Sequence, residues 1–214
     1  MKTTSKSRPK QAEILREYGP YPGMEKVGGV TFDGKHVWFA RGESLVAIDP
    51  ESGKLVRELP VNADAGTAFD GEYLWQLADS RIQKIDPRTA QVVATIPAPS
   101  DGRDSGLTWA EGTLWVGEYR ARKIHQVDAK TGAILRTLES DRFVTGVSWV
   151  NEELWHATWE GEESELRRVD PKTGKVLERL EMPTGANVSG LEAADGVFYC
   201  GGGNTGKVRA VRKP

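Results

Sequence analysis

Apolar residues in this chain fall in short runs separated by turn-forming residues. The stretch from Gly106 to Leu138 shows the pattern most clearly. Its runs are Leu107-Thr108-Trp109, Leu114-Trp115-Val116, Ile124-His125-Gln126-Val127 and Ile134-Leu135. Runs this short, rich in β-branched and aromatic residues and bounded by Gly, Asp and Asn, read as strands. The pattern recurs in units that open at Gly29, Gly66, Gly106, Gly146 and Gly190. A four-strand unit repeated along a chain predicts the blade of a β-propeller.

The unit that opens at Gly190 ends one strand short. The segment Ile14-Leu15-Arg16-Glu17-Tyr18-Gly19-Pro20 supplies the missing piece. It shares the order of apolar, charged and proline positions found in Val176-Leu177-Glu178-Arg179-Leu180-Glu181-Met182-Pro183. The prediction is an all-β, five-bladed propeller of four-stranded antiparallel blades, with the N-terminal strand completing the last blade. Closing the ring this way removes an exposed sheet edge. Residues 1–12 are polar and are expected to form a flexible N-terminus ahead of a single domain over 13–214.

Spacing separates a constant face from a variable one. In four units the opening glycine precedes the second-strand Trp by nine residues (Trp38, Trp75, Trp115, Trp155), and in the last unit Phe198 follows after eight. The Asp residues that end the third strands (Asp49, Asp86, Asp128, Asp170) each precede the fourth strand by six. Asp33-Gly34, Asp70-Gly71, Glu111-Gly112 and Asp195-Gly196 suit the first tight turn, and Asp-Pro turns such as Asp49-Pro50 suit the second. The second-to-third connections and those between units vary in length. In an up-and-down blade both variable connections emerge on one face of the ring, which is where a site is expected.

Composition narrows the partners. The chain has 214 residues and a net charge of −2, with Lys and Arg scattered, so neither nucleic acid nor an acidic membrane surface is expected. The single cysteine excludes an internal disulfide and points to a reducing compartment. The first residues have no apolar core of a leader, and no run reaches the length of a spanning helix. A soluble, cytoplasmic monomer is the expectation. Seven tryptophans supply core material for a chain otherwise rich in turns.

The variable face collects the candidate chemistry. The second-to-third loops carry Glu118-Tyr119-Arg120-Ala121-Arg122, Thr158-Trp159-Glu160 and Cys200-Gly201-Gly202-Gly203. The loops that lead into inner strands add Asp64, Arg103, Asp104, Arg142 and Asn187. Trp38, Trp75, Trp115 and Trp155 recur at one repeat position and read as packing between blades. Trp159 has no counterpart in other blades, so it is either an exposed residue or a plane for ligand stacking. Glu118, Arg120 and Arg122 form either a solvated charge cluster or an anion site using arginine's planar fork. Cys200 reads as a small buried residue. His156, Glu192, Asp104 and Glu118 are each eligible as a general base. Glu192 stands where other blades carry Thr31, Ala68, Thr108 and Ser148; burial near the axis would raise its pKa and suit it to proton transfer. The three histidines lack metal-ligand spacing, so no metal or cofactor is expected.

The Gly-Leu-Thr-Trp, Leu-Trp-Val-Gly-Glu and Val-Asp-x-Lys-Thr-Gly elements resemble those of the glutamine cyclotransferase-like propellers, the plant-type glutaminyl cyclases and their bacterial relatives. The resemblance runs from Glu13 to Lys213. It implies five blades and cyclisation of N-terminal glutamine with release of ammonia. Leu191-Glu192 matches the Leu-Glu pair that opens the last blade in such enzymes, which implies Glu192 as the proton carrier. Ala40 stands where they carry an acidic residue. Streptogramin lyase-type propellers are more distantly similar. Two functions remain open. In the first, an enzyme binds a small amine- or amide-bearing substrate with Trp109, Trp149 and Trp159 around it and Glu118, Arg120, Asp104, Arg142, His156 and Asn187 as polar contacts. In the second, a non-catalytic module presents the same face to a small molecule, a peptide or a protein.

Overall fold

The computed structural model describes residues 10–194 and 196–214. Two short strands come first, β1 (Lys10–Gln11) and β2 (Ile14–Tyr18). Blade 1 is β3 (Val30–Phe32), β4 (Val37–Ala40), β5 (Leu45–Ile48) and β6 (Leu55–Leu59). Blade 2 is β7 (Thr67–Phe69), β8 (Leu74–Ala78), β9 (Arg81–Ile85) and β10 (Val92–Pro97). Blade 3 is β11 (Asp104–Ala110), β12 (Thr113–Glu118), β13 (Lys123–Asp128) and β14 (Ile134–Glu139). Blade 4 is β15 (Val144–Val150), β16 (Glu153–Glu160), β17 (Glu163–Val169) and β18 (Val176–Glu181). Blade 5 is β19 (Gly190–Ala194), β20 (Val197–Gly201), β21 (Val208–Arg212) and β2. Each inner strand packs against the next, and β19 packs against β3, so the ring is closed.

β2 completes blade 5 as the repeat pattern predicts. It pairs antiparallel with β21, with Ile14 opposite Val211 and Tyr18 opposite Val208. Glu17 reaches Arg209 at 2.8 Å and Lys207 at 2.9 Å, which fixes the register. Tyr18 Oη donates to the carbonyl of Pro50 in blade 1, so the closing strand also clasps the first blade. Of the segment expected to be flexible, residues 1–9 lie outside the described residues, but Lys10 to Ala12 do not behave that way. β1 runs parallel to β18, with Lys10 opposite Leu180 and Gln11 opposite Glu181, and Ala12 is buried in the core behind it. The N-terminal segment therefore ties blades 4, 5 and 1 together.

The turns form for the reasons their residues dictate. Asp33 Oδ1 accepts from the N–H groups of Lys35 and His36, while its other oxygen accepts from Trp38 Nε1 at 2.6 Å. Asp70 repeats this with Tyr73 and Trp75. One aspartate thus closes the turn and fixes the blade's core tryptophan. Asp195, in the matching turn of blade 5, lies outside the described residues. Asp49, Asp128 and Asp170 each accept from the N–H groups two and three residues on, which builds the third-to-fourth turns. The core lies between blades rather than within them, because each sheet buries both faces against its neighbours. Among the described residues no helix is long and apolar enough to cross a membrane.

Candidate functional site

The five opening glycines are where the inner strands approach most closely. A Cβ on Gly29 would fall 2.6 Å from Cα of Gly66, and one on Gly66 would fall 2.5 Å from the backbone of Gly106. Around the rest of the ring, Gly106 meets Gly146 at 2.7 Å, Gly146 meets Gly190 at 2.8 Å, and Gly190 meets Gly29 at 2.8 Å. Real side chains do not fit there. On the looped side of this ring, the residue before each glycine faces a cavity of about 460 Å³. These floor residues are Gly28, Ala65, Ser105, Thr145 and Ser189, one from each blade. Ser105 Oγ bonds to the Val144 carbonyl at 2.7 Å and Ser189 Oγ to the Val27 carbonyl at 2.6 Å, so the floor also locks neighbouring blades.

Variable loops raise the walls. Blade 3 contributes Arg103, Asp104, Tyr119 and Arg120, blade 4 contributes Trp159, and Lys26 and Asp64 come from the segments leading into blades 1 and 2. Trp159 lies against Gly203, where a Cβ would sit 3.0 Å from the ring, and its Nε1 donates to the Gly161 carbonyl. The cavity is thus partly aromatic and carries both signs of charge.

Asp104 and Glu118 form the cavity's most unusual contact. They face each other across the β11–β12 ladder, just before the register shifts between Asp104 and Leu107. Both carboxylate oxygens of Asp104 are buried and neither has a hydrogen-bond partner. Burial, with the Glu118 charge added, pushes its pKa above the usual range. Glu118 is the opposite case. Burial alone would raise it, but Oε2 meets His125 Nε2 at 3.2 Å and Oε1 meets Arg103 Nε at 3.2 Å. Those partners hold it below the usual carboxylate range. The Ser100 hydroxyl lies beside both carboxyl groups, and the Ser100 and Asp104 backbone N–H groups also draw the Asp104 pKa down, none of them within hydrogen-bond geometry of its oxygens. Thr145 Oγ1, on the cavity floor, is likewise buried and unpartnered.

Of the predicted contacts, the structure brings Asp104, Arg120 and Trp159 to the cavity, with Glu118 directly behind the wall. The others lie elsewhere. Trp109 stacks on Trp75 with centroids 5.7 Å apart, and Trp149 stacks on Trp115 at 6.5 Å. Both are blade-to-blade packing near the trimmed face, because three residues past the glycine the side chain points between sheets. Arg142 is drawn into the acidic loop of blade 4, within 3.2 Å of Glu163 and 3.4 Å of Glu160. His156 is 1 % exposed, and burial with the Arg167 charge nearby lowers its pKa to about 4. Asn187 lies behind Arg209, which donates to its carbonyl.

Glu192 sits two residues past the glycine ring, about 7 Å farther along the strand at ordinary rise. It does not line the cavity. Its Oε2 accepts from Thr31 Oγ1 at 3.2 Å, and the Ser148 hydroxyl of the other neighbouring blade, which accepts from the Ala193 N–H, lies beside it. Part of its surface faces the axis, but protein encloses it on every other side. That enclosure raises its pKa to about 8. The expectation that burial raises this acid holds; its access to a ligand in the cavity does not follow.

Of the floor positions, the sequence pointed to Ser189 alone, in the loop Asn187-Val188-Ser189; Gly28, Ala65, Ser105 and Thr145 were missed. Their only signal was placement immediately before each blade-opening glycine. Among the described residues, no group of three or more His, Cys, Asp or Glu is placed to hold a metal ion.

No protein-family model matches this chain. No curated protein matches it by sequence. Solved structures share its fold. Glutaminyl cyclase from Myxococcus xanthus superposes with a TM-score of 0.76 at 20% identity, over 95% of this chain and 97% of that one. Virginiamycin B lyase from Staphylococcus aureus is similar at a TM-score of 0.52 and 16% identity, over 92% of this chain and 69% of that one. The five-bladed fold is therefore the fold of a glutaminyl cyclase.

Proposed function

We propose that the looped-face cavity binds a peptide with an N-terminal glutamine and cyclises it, with Asp104 carrying the proton. One observation carries this reading: a buried carboxyl group with both oxygens unpartnered stands on the wall of the cavity. Unpartnered buried polar groups are costly. A ligand bearing N–H groups would remove that cost, and the glutamine terminus offers both an amine and a primary amide. The likeness in fold to a glutaminyl cyclase supports the choice of substrate.

The chemistry is an intramolecular acyl transfer. The α-amino nitrogen attacks the side-chain amide carbon, a C–N bond forms to close a five-membered lactam, and the bond to the amide nitrogen breaks. Asp104 in its acid form gives a proton to the departing nitrogen, which leaves as ammonia. The resulting carboxylate takes the proton that the attacking amine sheds. A carboxyl with a raised pKa suits both steps near neutral pH. Trp159 offers an aromatic surface to the substrate, and Asp64, on the cavity wall, would accept a hydrogen bond from its free amine.

The test is mass spectrometry of a glutamine-led peptide with the parent, Asp104→Asn and Glu192→Gln. Ammonia release by the parent, roughly 100-fold slower in Asp104→Asn and near parental in Glu192→Gln, is expected. Equal losses in both variants would return the role to Glu192. No release by the parent, with binding still seen by calorimetry, would leave a binding module and remove the enzyme reading.

A further inference from the structure

Two carboxyl groups side by side in a protein cannot both stay ionised without help. Asp104 and Glu118 are such a pair, and the help is distributed unequally. Glu118 has a partner for each oxygen, and Asp104 has none. His125 lies on β13, next to Glu118 on β12, and is 6 % exposed. A carboxylate only accepts hydrogen bonds, so Nε2 of His125 carries the proton toward it. On the far side of the ring, Nδ1 meets Thr137 Oγ1 at 2.9 Å, which fixes the imidazole plane. A chain of contacts thus runs from an outer strand to the cavity wall: Thr137, His125, Glu118, Asp104.

We infer that His125 is a positioning residue: with Arg103 it clamps Glu118 as the anion, and that fixed negative charge adds to burial in favouring the acid form of Asp104 at the cavity wall. The pairing stands on the geometry; its use in turnover rests on the cyclisation reading. Neither member is a free surface acid. Arg103 is exposed, so its side of the clamp is open to solvent, whereas His125 acts from inside the blade.

Other charges also bear on Asp104. Asp64 shares both of its cavities, and Asp79 and Arg81 share the smaller one on the blade 2 side. Arg120 and Lys26 line the larger. The cations on this shell oppose the effect of Glu118, and the acids reinforce it. Glu118 is the one that faces Asp104 directly across the ladder.

The experiment follows carboxyl carbon resonances of Asp104 and Glu118 by NMR titration in the full chain, independent of turnover. The parent should show two separate midpoints, Glu118 low and Asp104 high. Glu118→Gln should lower the Asp104 midpoint by roughly a few tenths of a pH unit. His125→Phe removes the donor, so the two midpoints should converge, and His125→Gln, which restores an N–H, should part them again. Should His125→Phe fail to fold, Arg103→Gln weakens the clamp from the solvent side and should narrow the gap less. In the turnover assay the descending alkaline limb should move to lower pH in the same variants. An Asp104 midpoint unmoved in Glu118→Gln, or a gap unchanged by both clamp variants, overturns the inference. A parent that shows the split midpoints without turnover would leave the pair standing and remove only the cyclisation reading.

Discussion

Asp104 and Glu192 are both acids held above their ordinary pKa, both near the axis, and they sit on opposite sides of one ring of glycines. Their surroundings separate them more sharply than their titration does. Glu192 has a hydroxyl donor in Thr31 of blade 1, with the Ser148 hydroxyl of blade 4 beside it, and serves as a strut between inner strands. Asp104 carries two buried carboxylate oxygens without a hydrogen bond, in the wall of a cavity of about 460 Å³. Burial raises an acid wherever it occurs; an acid in a cavity wall that lacks partners of its own gains the most from a ligand that brings it a donor. A raised pKa therefore marks a candidate, and the missing hydrogen bonds decide between two of them.

The boundary between the two regions is the first place to strike. Gly146→Ala puts a methyl group 2.6 Å from the Leu191 backbone nitrogen and 2.8 Å from the carbonyl carbon of Gly190. Both are backbone atoms of the next inner strand, so relief requires moving a strand. We expect a loss of about 2–4 kcal/mol, at the upper end for overpacking, and a fall in Tm of roughly 10 °C for a chain of this size. Thermal unfolding measures it. An unchanged Tm would mean that the inner strands have room to spread and that the ring is no boundary.

The second prediction separates the acids by pH. Glu192 binds its proton up to about pH 8 in the folded chain, whereas an unfolded glutamate releases it near 4.5. The folded state holds the extra proton between these values, so its contribution to stability is complete below 4.5 and is lost as pH rises through 8. The slope is at most about 1.4 kcal/mol per pH unit. Glu192→Gln should flatten the decline of Tm between pH 5 and 9. Asp104→Asn should flatten it less. A parent and a Glu192→Gln variant with parallel Tm curves would show that Glu192 is solvated and not a strut.

Much of this architecture was legible in the chain because each blade repeats its instructions. The Asp-Gly turns, the core tryptophans and the fixed spacing all act locally, and the N-terminal strand betrayed itself by copying Val176 to Pro183. The looped face was legible from connection lengths alone. The site was legible only in part. Its floor consists of five small residues, Gly28, Ala65, Ser105, Thr145 and Ser189, of which three carry a hydroxyl and two carry none, so the position has no single signature. The isolation of Asp104 depends on its register with Glu118 across a bulge, and register is a property of two strands. Trp109 and Trp149 resemble ligand contacts by type, yet their place in the strand turns them into the neighbouring blade. β1 was hidden because two residues carry no periodicity.

The smallest effect tests which tryptophans belong to which region. Trp159 is half-buried, lies against Gly203 and lines the cavity, so its removal takes an aromatic face from the ligand and little from the core. Trp159→Ala should weaken binding of a glutamine-led peptide about fivefold to tenfold, or roughly 1 kcal/mol, with a small change in Tm. Trp109→Ala should do the reverse, because its stacking on Trp75 joins blades 2 and 3 and touches no ligand. Titration calorimetry and thermal unfolding on both variants give the two readouts. If Trp109→Ala weakens binding as much as Trp159→Ala does, the cavity communicates with the axis below the glycines, and Glu192 returns as a residue within reach of the substrate.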